Sequence, residues 1–226
     1  MPNAKNEERN LTMEKIRLRQ VLPVVFADNP PVRSQVWLKD LTLDKGRVYL
    51  VEAASGAGKS SFCGYLYGYR RDYTGTILYD DRDIRELSVR EWSCLRRCSL
   101  AMTFQGLRLF PELSAADNVR LKNNLTGYRS EAEIARLFEA LGIADKMNAP
   151  AAKLSFGQQQ RVAFVRMLCQ PADFMLLDEP MSHLDDGNAA VMAEILLEEV
   201  RRNGTGIIVT SVGKRFGIEY DKIFSL

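Results

Sequence analysis

The chain has 226 residues, of which 46% are apolar and 27% charged, and its net charge is +2. That length can bury a substantial core and the composition is ordinary for a globular protein. So small a net charge excludes the long-range attraction of a basic nucleic-acid binder, and no nucleic-acid partner is expected. A single histidine, His183, and four cysteines, Cys63, Cys94, Cys98 and Cys169, make a poor inventory for a zinc site. Buried free thiols are the better reading of those cysteines.

Residues 1–13 read as a polar tail without the apolar stretch of a signal peptide. From Lys15 apolar and basic residues alternate, which predicts a half-exposed strand, and alternation resumes from Val36 before a turn at Asp44-Lys45-Gly46. The apolar run from Val48 then enters "AASGAGKSSF", a strand leading through a Gly-rich loop into a helix. The middle third is helical: Ser88 with Glu91, Ser114 with Asp117 and Ser130 with Glu133 have the spacing of capping boxes or their Asp variant. "ADFMLLDEP" from Ala172 is a buried strand ending in acid, followed by an amphipathic helix from Asp186 that Gly204 stops. Ile207–Val209 form a last buried strand ending at Thr210-Ser211. Strands alternating with helices imply a largely parallel sheet covered on both faces. The helix-rich stretch at about 85–165 breaks that alternation and predicts an inserted helical subdomain. No apolar run approaches the roughly 18 residues that span a bilayer, so the chain is not expected to cross a membrane itself.

The Gly-rich loop has the logic of an anion site. Backbone amides curl around phosphate oxygens and the following helix adds positive potential at its N-terminus. Ser55, Gly56, Ala57, Gly58, Lys59, Ser60 and Ser61 are the candidate phosphate-binding residues, with Lys59 reaching the outer phosphates and the Ser60 hydroxyl placed for Mg2+. Asp178 and Glu179, adjacent carboxylates at the end of a buried strand, call for a nearby cation. Asp178 fits a residue held near Mg2+, and Glu179 fits the group that orients and polarises an attacking water.

With "LSFGQQQRVAFVRML" from Leu154 lying between the phosphate loop and "MLLDEP", and "SHLD" after it, the chain resembles the ATP-binding cassette family from about residue 15 to residue 226. The stretch "FQGLRLFPELSAADNVRL" is similar to the ATPases that serve lipoprotein-releasing, macrolide-exporting and cell-division permeases. The resemblance implies an α/β fold: a P-loop NTPase core with a mostly parallel sheet, an N-terminal antiparallel β subdomain and the inserted helical subdomain, in one domain over residues 14–226. It implies ATP and Mg2+ as ligands. Gln105 becomes the glutamine that bridges Mg2+ and the membrane subunit, beside Ser60 and Asp178 as metal-side residues. Leu107, Leu109, Phe110, Pro111 and Leu113 line the groove for a permease helix. Ser155, Gly157 and Gln158 are the signature that meets ATP on the opposite subunit of a homo- or heterodimer. Asp185 lies in the loop that crosses that interface, His183 is structural, and Phe26 is the aromatic that stacks on adenine. The implied place is peripheral, on the inner face of the cell membrane through the permease.

The sequence departs from the family pattern at Ala53, at Phe156 and at Ser211. In the family, which the chain resembles, this strand ends with a histidine that touches the γ-phosphate; Ser211 occupies that place, and no histidine follows His183 here. Serine carries no positive charge, and losing such a donor costs about 10²–10³ in rate. Slow or partner-dependent hydrolysis is therefore expected, with an ATP-binding regulatory or scaffolding cassette of little turnover as the alternative.

Overall fold

The computed structural model describes residues 12–30 and 33–226; most of the predicted polar tail, residues 1–11, lies outside the described residues. Met13, at the end of that predicted tail, is a core residue, and its N–H donates to Asp173 Oδ2 at 2.9 Å.

Two sheets organise the chain. An antiparallel sheet has the order β2-β1-β4-β5, from β1 (Lys15–Pro23), β2 (Asp40–Asp44), β4 (Tyr73–Tyr79) and β5 (Arg82–Asp83). A parallel sheet has the order β6-β7-β8-β3-β9, from β3 (Val48–Glu52), β6 (Leu100–Thr103), β7 (Phe174–Asp178), β8 (Gly206–Ser211) and β9 (Lys222–Ser225). Among the described residues six α-helices join them: α1 (Lys59–Leu66), α2 (Val89–Cys98), α3 (Ala115–Asn123), α4 (Glu131–Ala140), α5 (Phe156–Leu168) and α6 (Asp186–Asn203). Among the described residues no helix is long and apolar enough to cross a membrane.

The helix starts follow the caps. Ser88 and Ser130 form reciprocal capping boxes with Glu91 and Glu133, and Ser114 accepts the N–H of Asp117. Each cap is worth about 1 kcal/mol. The strand expected from Val36 begins instead at Asp40. The Ser34 hydroxyl accepts the N–H groups of Val36 and Trp37, at 3.1 and 2.7 Å, and bends that segment into a turn. Within the stretch expected to be helical, Leu100–Thr103 form β6, an edge strand of the parallel sheet. All four residues of β6 are buried, so no alternation marks it off from the helix before it.

Alternation inside the parallel strands divides the interior in two. Tyr49, Val51, Phe174, Leu176 and Ile208 face a core shared with the antiparallel sheet, α1 and α2. Their neighbours Val48, Leu50, Met175, Leu177, Ile207 and Val209 face a second core built from α3 to α6.

The helical half is tied down by a buried ion pair. The Arg129 guanidinium, after α3, bonds the carboxylate of Glu199 on α6 and donates to Leu168 O at 3.2 Å. Asn203 Nδ2 donates to the second Glu199 oxygen at 2.6 Å. Removing one partner strands a buried charge, so Glu199→Ala should lower unfolding free energy by about 3–5 kcal/mol. Glu131→Ala, which removes the exposed partner of Arg120, should cost less than about 1 kcal/mol. Urea denaturation of the two variants checks this difference; equal midpoints would contradict it.

Candidate nucleotide-binding site

In the parallel sheet β7, β8 and β3 are neighbours, so their C-terminal ends bring three segments to one edge. These are Asp178-Glu179, Thr210-Ser211 and the loop from Ala53. Open parallel sheets bind ligands along this edge.

Gly56 and Gly58 take φ +84° and +97°, values that favour glycine. A Cβ on Gly58 would lie 3.2 Å from the rings of both Phe26 and Trp37, so those two aromatics back the loop. Trp37 Nε1 donates to Ala57 O at 3.3 Å. Ser55 is exposed, while the Ser61 hydroxyl is taken by Arg70 at 2.7 Å. Lys59 opens α1 with only 4% of its surface exposed. Its ammonium donates to the carbonyls of Ala53 (3.2 Å) and Ala54 (2.9 Å) and lies 3.4 Å from a Glu179 oxygen.

Gln105 closes the group. Its Nε2 donates to Glu179 at 3.3 Å, and its Oε1 faces the Ser60 hydroxyl at 3.5 Å. Asp178 is 4% exposed, and the Thr210 hydroxyl opposite it in register donates to Oδ1 at 2.8 Å. Burial raises the Asp178 carboxyl above its ordinary pKa, against hydrogen bonds from Ser60 and Thr210. Ser60, Gln105 and Asp178 thus stand together as oxygen donors, a chemistry that suits Mg2+. Among the described residues no cluster of three or more His, Cys, Asp or Glu is placed to hold a metal ion. A divalent ion here would therefore take its remaining ligands from a phosphate and water.

Glu179 has φ +50°, a left-handed backbone rare for a side chain of this size. The bonds around it explain how that backbone is held. Its N–H donates to Thr210 O at 3.2 Å, and Gln160 Nε2 on α5 donates to Pro180 O at 2.6 Å. Thr210 and Gln160 are the supporting residues the sequence reading misses. A fully buried threonine ending an all-apolar run is the one signal that points to the first.

The other predicted residues share no hydrogen bond with Lys59, Gln105 or Glu179, though Ser211 stands on the same sheet edge. Ser155 caps α5, accepting the N–H of Gln158, whose side chain in turn accepts the N–H of Ser155 at 2.9 Å. Gly157 is pressed against the next loop, where a Cβ would sit 2.9 Å from His183 O. The exposed Phe156 ring meets the His183 ring edge to face at 4.4 Å. Asp185 caps α6 through Asn188, at 2.8 Å. The Ser211 hydroxyl donates to the carbonyl of Lys214. Of the five residues expected in the permease groove, Phe110 alone lines the cavity of about 250 Å³ beside Phe104, Leu121, Lys122 and Arg166. Leu107 is buried instead, its carbonyl bonded by Arg166.

Because burial raises the Asp178 pKa, its protonation favours folding. That contribution is fully present below the ordinary carboxylate pKa and is lost as pH rises through the raised value. At pH 7 the charge is a burden on the ligand-free protein. Asp178→Asn should then raise the melting temperature at pH 7, by about 2–4 °C per kcal/mol relieved, and the gain should shrink on acidification towards pH 4. Thermal denaturation across pH tests this; a lower melting temperature at pH 7 would overturn it.

Residues 39–182 match the family described as ABC transporter. The chain is 36% identical over 175 residues to the macrolide export ATP-binding/permease protein MacB of Rhodopseudomonas palustris, covering 76% of this chain and 27% of that protein. It is 33% identical over 175 residues to the lipoprotein-releasing system ATP-binding protein LolD of Roseobacter denitrificans, covering 76% of this chain and 77% of LolD. The chain thus spans about a quarter of the macrolide protein's length and three quarters of LolD's. A solved dimeric bacterial ABC transporter cassette superposes with a TM-score of 0.72 at 26% identity, covering 87% of each chain. A phosphate loop, an acidic strand end and a bridging glutamine on one sheet edge, together with these matches, show that this chain belongs to the ABC transporter family.

Proposed function

We propose that this chain is the ATP-binding and ATP-hydrolysing subunit of a membrane transporter or related permease complex. The observation that carries the proposal is the bonded group of Lys59, Gln105 and Glu179 at the mouth of the phosphate loop. Loop amides and Lys59 hold the phosphates, and Phe26, packed against Gly58, stacks on the adenine. Ser60, Gln105 and Asp178 hold Mg2+, which when bound offsets phosphate charge. Glu179 is fixed by its backbone bonds to β8 and by Gln105, and it orients the attacking water.

Residues 14–226 act as one domain, with the helices at about 85–165 as a subdomain that meets the membrane subunit. The cavity at Phe110 supports this part of the reading: it is apolar, it borders the segment that carries Gln105, and exposed Leu121 and Leu125 extend it. A partner seated there would feel any shift of Gln105, and would hold the chain at the inner face of the membrane. Ser155, Gly157 and Asp185 lie together at the ends of α5 and α6, apart from the chain's own phosphate loop, which suits a second cassette, identical or not, closing over the nucleotide. ATP then links two weakly associating surfaces, and hydrolysis loosens them.

One observation favours a second reading. The only proton Ser211 could offer a phosphate is given to Lys214 O, which suits an ATP-gated clamp with little turnover.

Steady-state phosphate release with Mg-ATP, measured across protein concentration beside Glu179→Gln, separates the two. A working dimeric ATPase gives a rate that climbs more steeply than protein concentration and falls by about 10²–10⁴ in the variant. Release no faster than the Glu179→Gln background, with Mg-ATP still bound, marks the clamp. Failure to bind Mg-ATP overturns both readings.

A further inference from the structure

Beside Glu179 lies a cavity of about 210 Å³, lined also by Met181, Ser182, Ser211, Val212 and Lys214. It adjoins the start of the phosphate loop, because Ser211 O accepts the N–H of Ala53 at 3.2 Å and Ser211 stands opposite Glu52 in the sheet. A ligand whose phosphates fill the loop and whose outermost group points at Glu179 would enter this space.

The cavity is open because the residue ending β8 is small and its hydroxyl turns back to the carbonyl of Lys214. That bond also shapes the loop that follows. Gly213, at φ +78°, permits the tight turn that brings the Lys214 carbonyl within reach of Ser211. Beyond Lys214, the Arg215 guanidinium grips both oxygens of Glu52 at 2.7 Å each. Phe216 is buried, and its N–H donates to the Tyr220 hydroxyl at 3.0 Å. The backbone of Lys214 is thus pinned on both sides, while its ammonium has no hydrogen bond or ion pair among the described residues.

Charge completes the case. Glu179 is the only carboxylate lining the cavity, and it is already engaged by Lys59 and Gln105. Lys59 and a bound Mg2+ would offset a terminal phosphate from the loop side, and a cation across the cavity would offset its repulsion by Glu179 from the other. A lysine on an anchored loop supplies one at little ordering cost, since only its flexible stem must settle.

We infer that Lys214 is a phosphate-contacting residue whose ammonium meets the terminal phosphate of a bound nucleoside triphosphate across the cavity from Glu179. The inference rests on the proposed ATP site and adds to it the residue that tells a triphosphate from a diphosphate.

Calorimetric affinities for Mg-ATP and Mg-ADP in wild type, Lys214→Met and Lys214→Arg test it. Lys214→Met should weaken Mg-ATP at least tenfold and Mg-ADP less than twofold, and Lys214→Arg should restore most of the preference. Equal losses for both nucleotides, or no loss for either, would overturn the role of Lys214 while leaving the ATP site standing. Wild-type protein that binds neither nucleotide would overturn the site and, with it, this inference. An unchanged melting temperature in Lys214→Met shows that the effect is on binding, since the side chain is exposed and unpaired.

Discussion

A carboxylate with 4% of its surface exposed at the end of a central strand needs partners, and the partners of Asp178 organise the residues around it. Thr210 comes from the neighbouring strand at the matching register and donates to Asp178 while also lying within 3.3 Å of the Glu179 N–H. One buried hydroxyl therefore sets both the carboxylate that faces Ser60 and the backbone turn that aims Glu179. Gln160 holds the far side of that turn from α5, so the helix that begins with Ser155 is bonded to the chain's own acidic strand end. The left-handed backbone at Glu179 is the conformation these bonds require.

Much of this site is legible in the sequence because its chemistry depends on local order. The spacing of Gly56, Gly58 and Lys59 after an apolar run specifies a loop and a helix start, and both are found. The acids at 178 and 179 end a buried strand, as their neighbours require. The caps at Ser88, Ser114 and Ser130 are local for the same reason. Contacts set by pairing between distant segments are less legible. Nothing near Gln105 says that it will reach Glu179, 74 residues on. Thr210 reads as the end of an apolar run until its register with Asp178 is known. β6 and β9 are too short to show a period, and only the sheet they join defines them.

The apolar groove expected beyond Gln105 shows how an apolar run can mislead. Leu107, Leu109, Phe110, Pro111 and Leu113 look equivalent as letters, yet the left-handed backbones at Leu107 and Arg108 send them different ways. Arg166 holds the carbonyls of both residues, Leu107 is buried, and Phe110 alone of the five is left on the cavity wall. The cavity's other walls include Tyr67, Met102 of β6 and residues of α3 and α5, which distant segments bring together.

The strict alternation of the parallel strands has a mechanical consequence. Leu176 and Leu177 are adjacent in the chain but answer to different cores, one shared with the antiparallel sheet and one with the helices. Strand β7 is therefore gripped from both sides like a blade in a vice, with Asp178 at its tip. A change of packing on either face tilts that tip. Loosening the helical half would then move the strand end that carries Asp178 and Glu179, as a change beside the Gly-rich loop would.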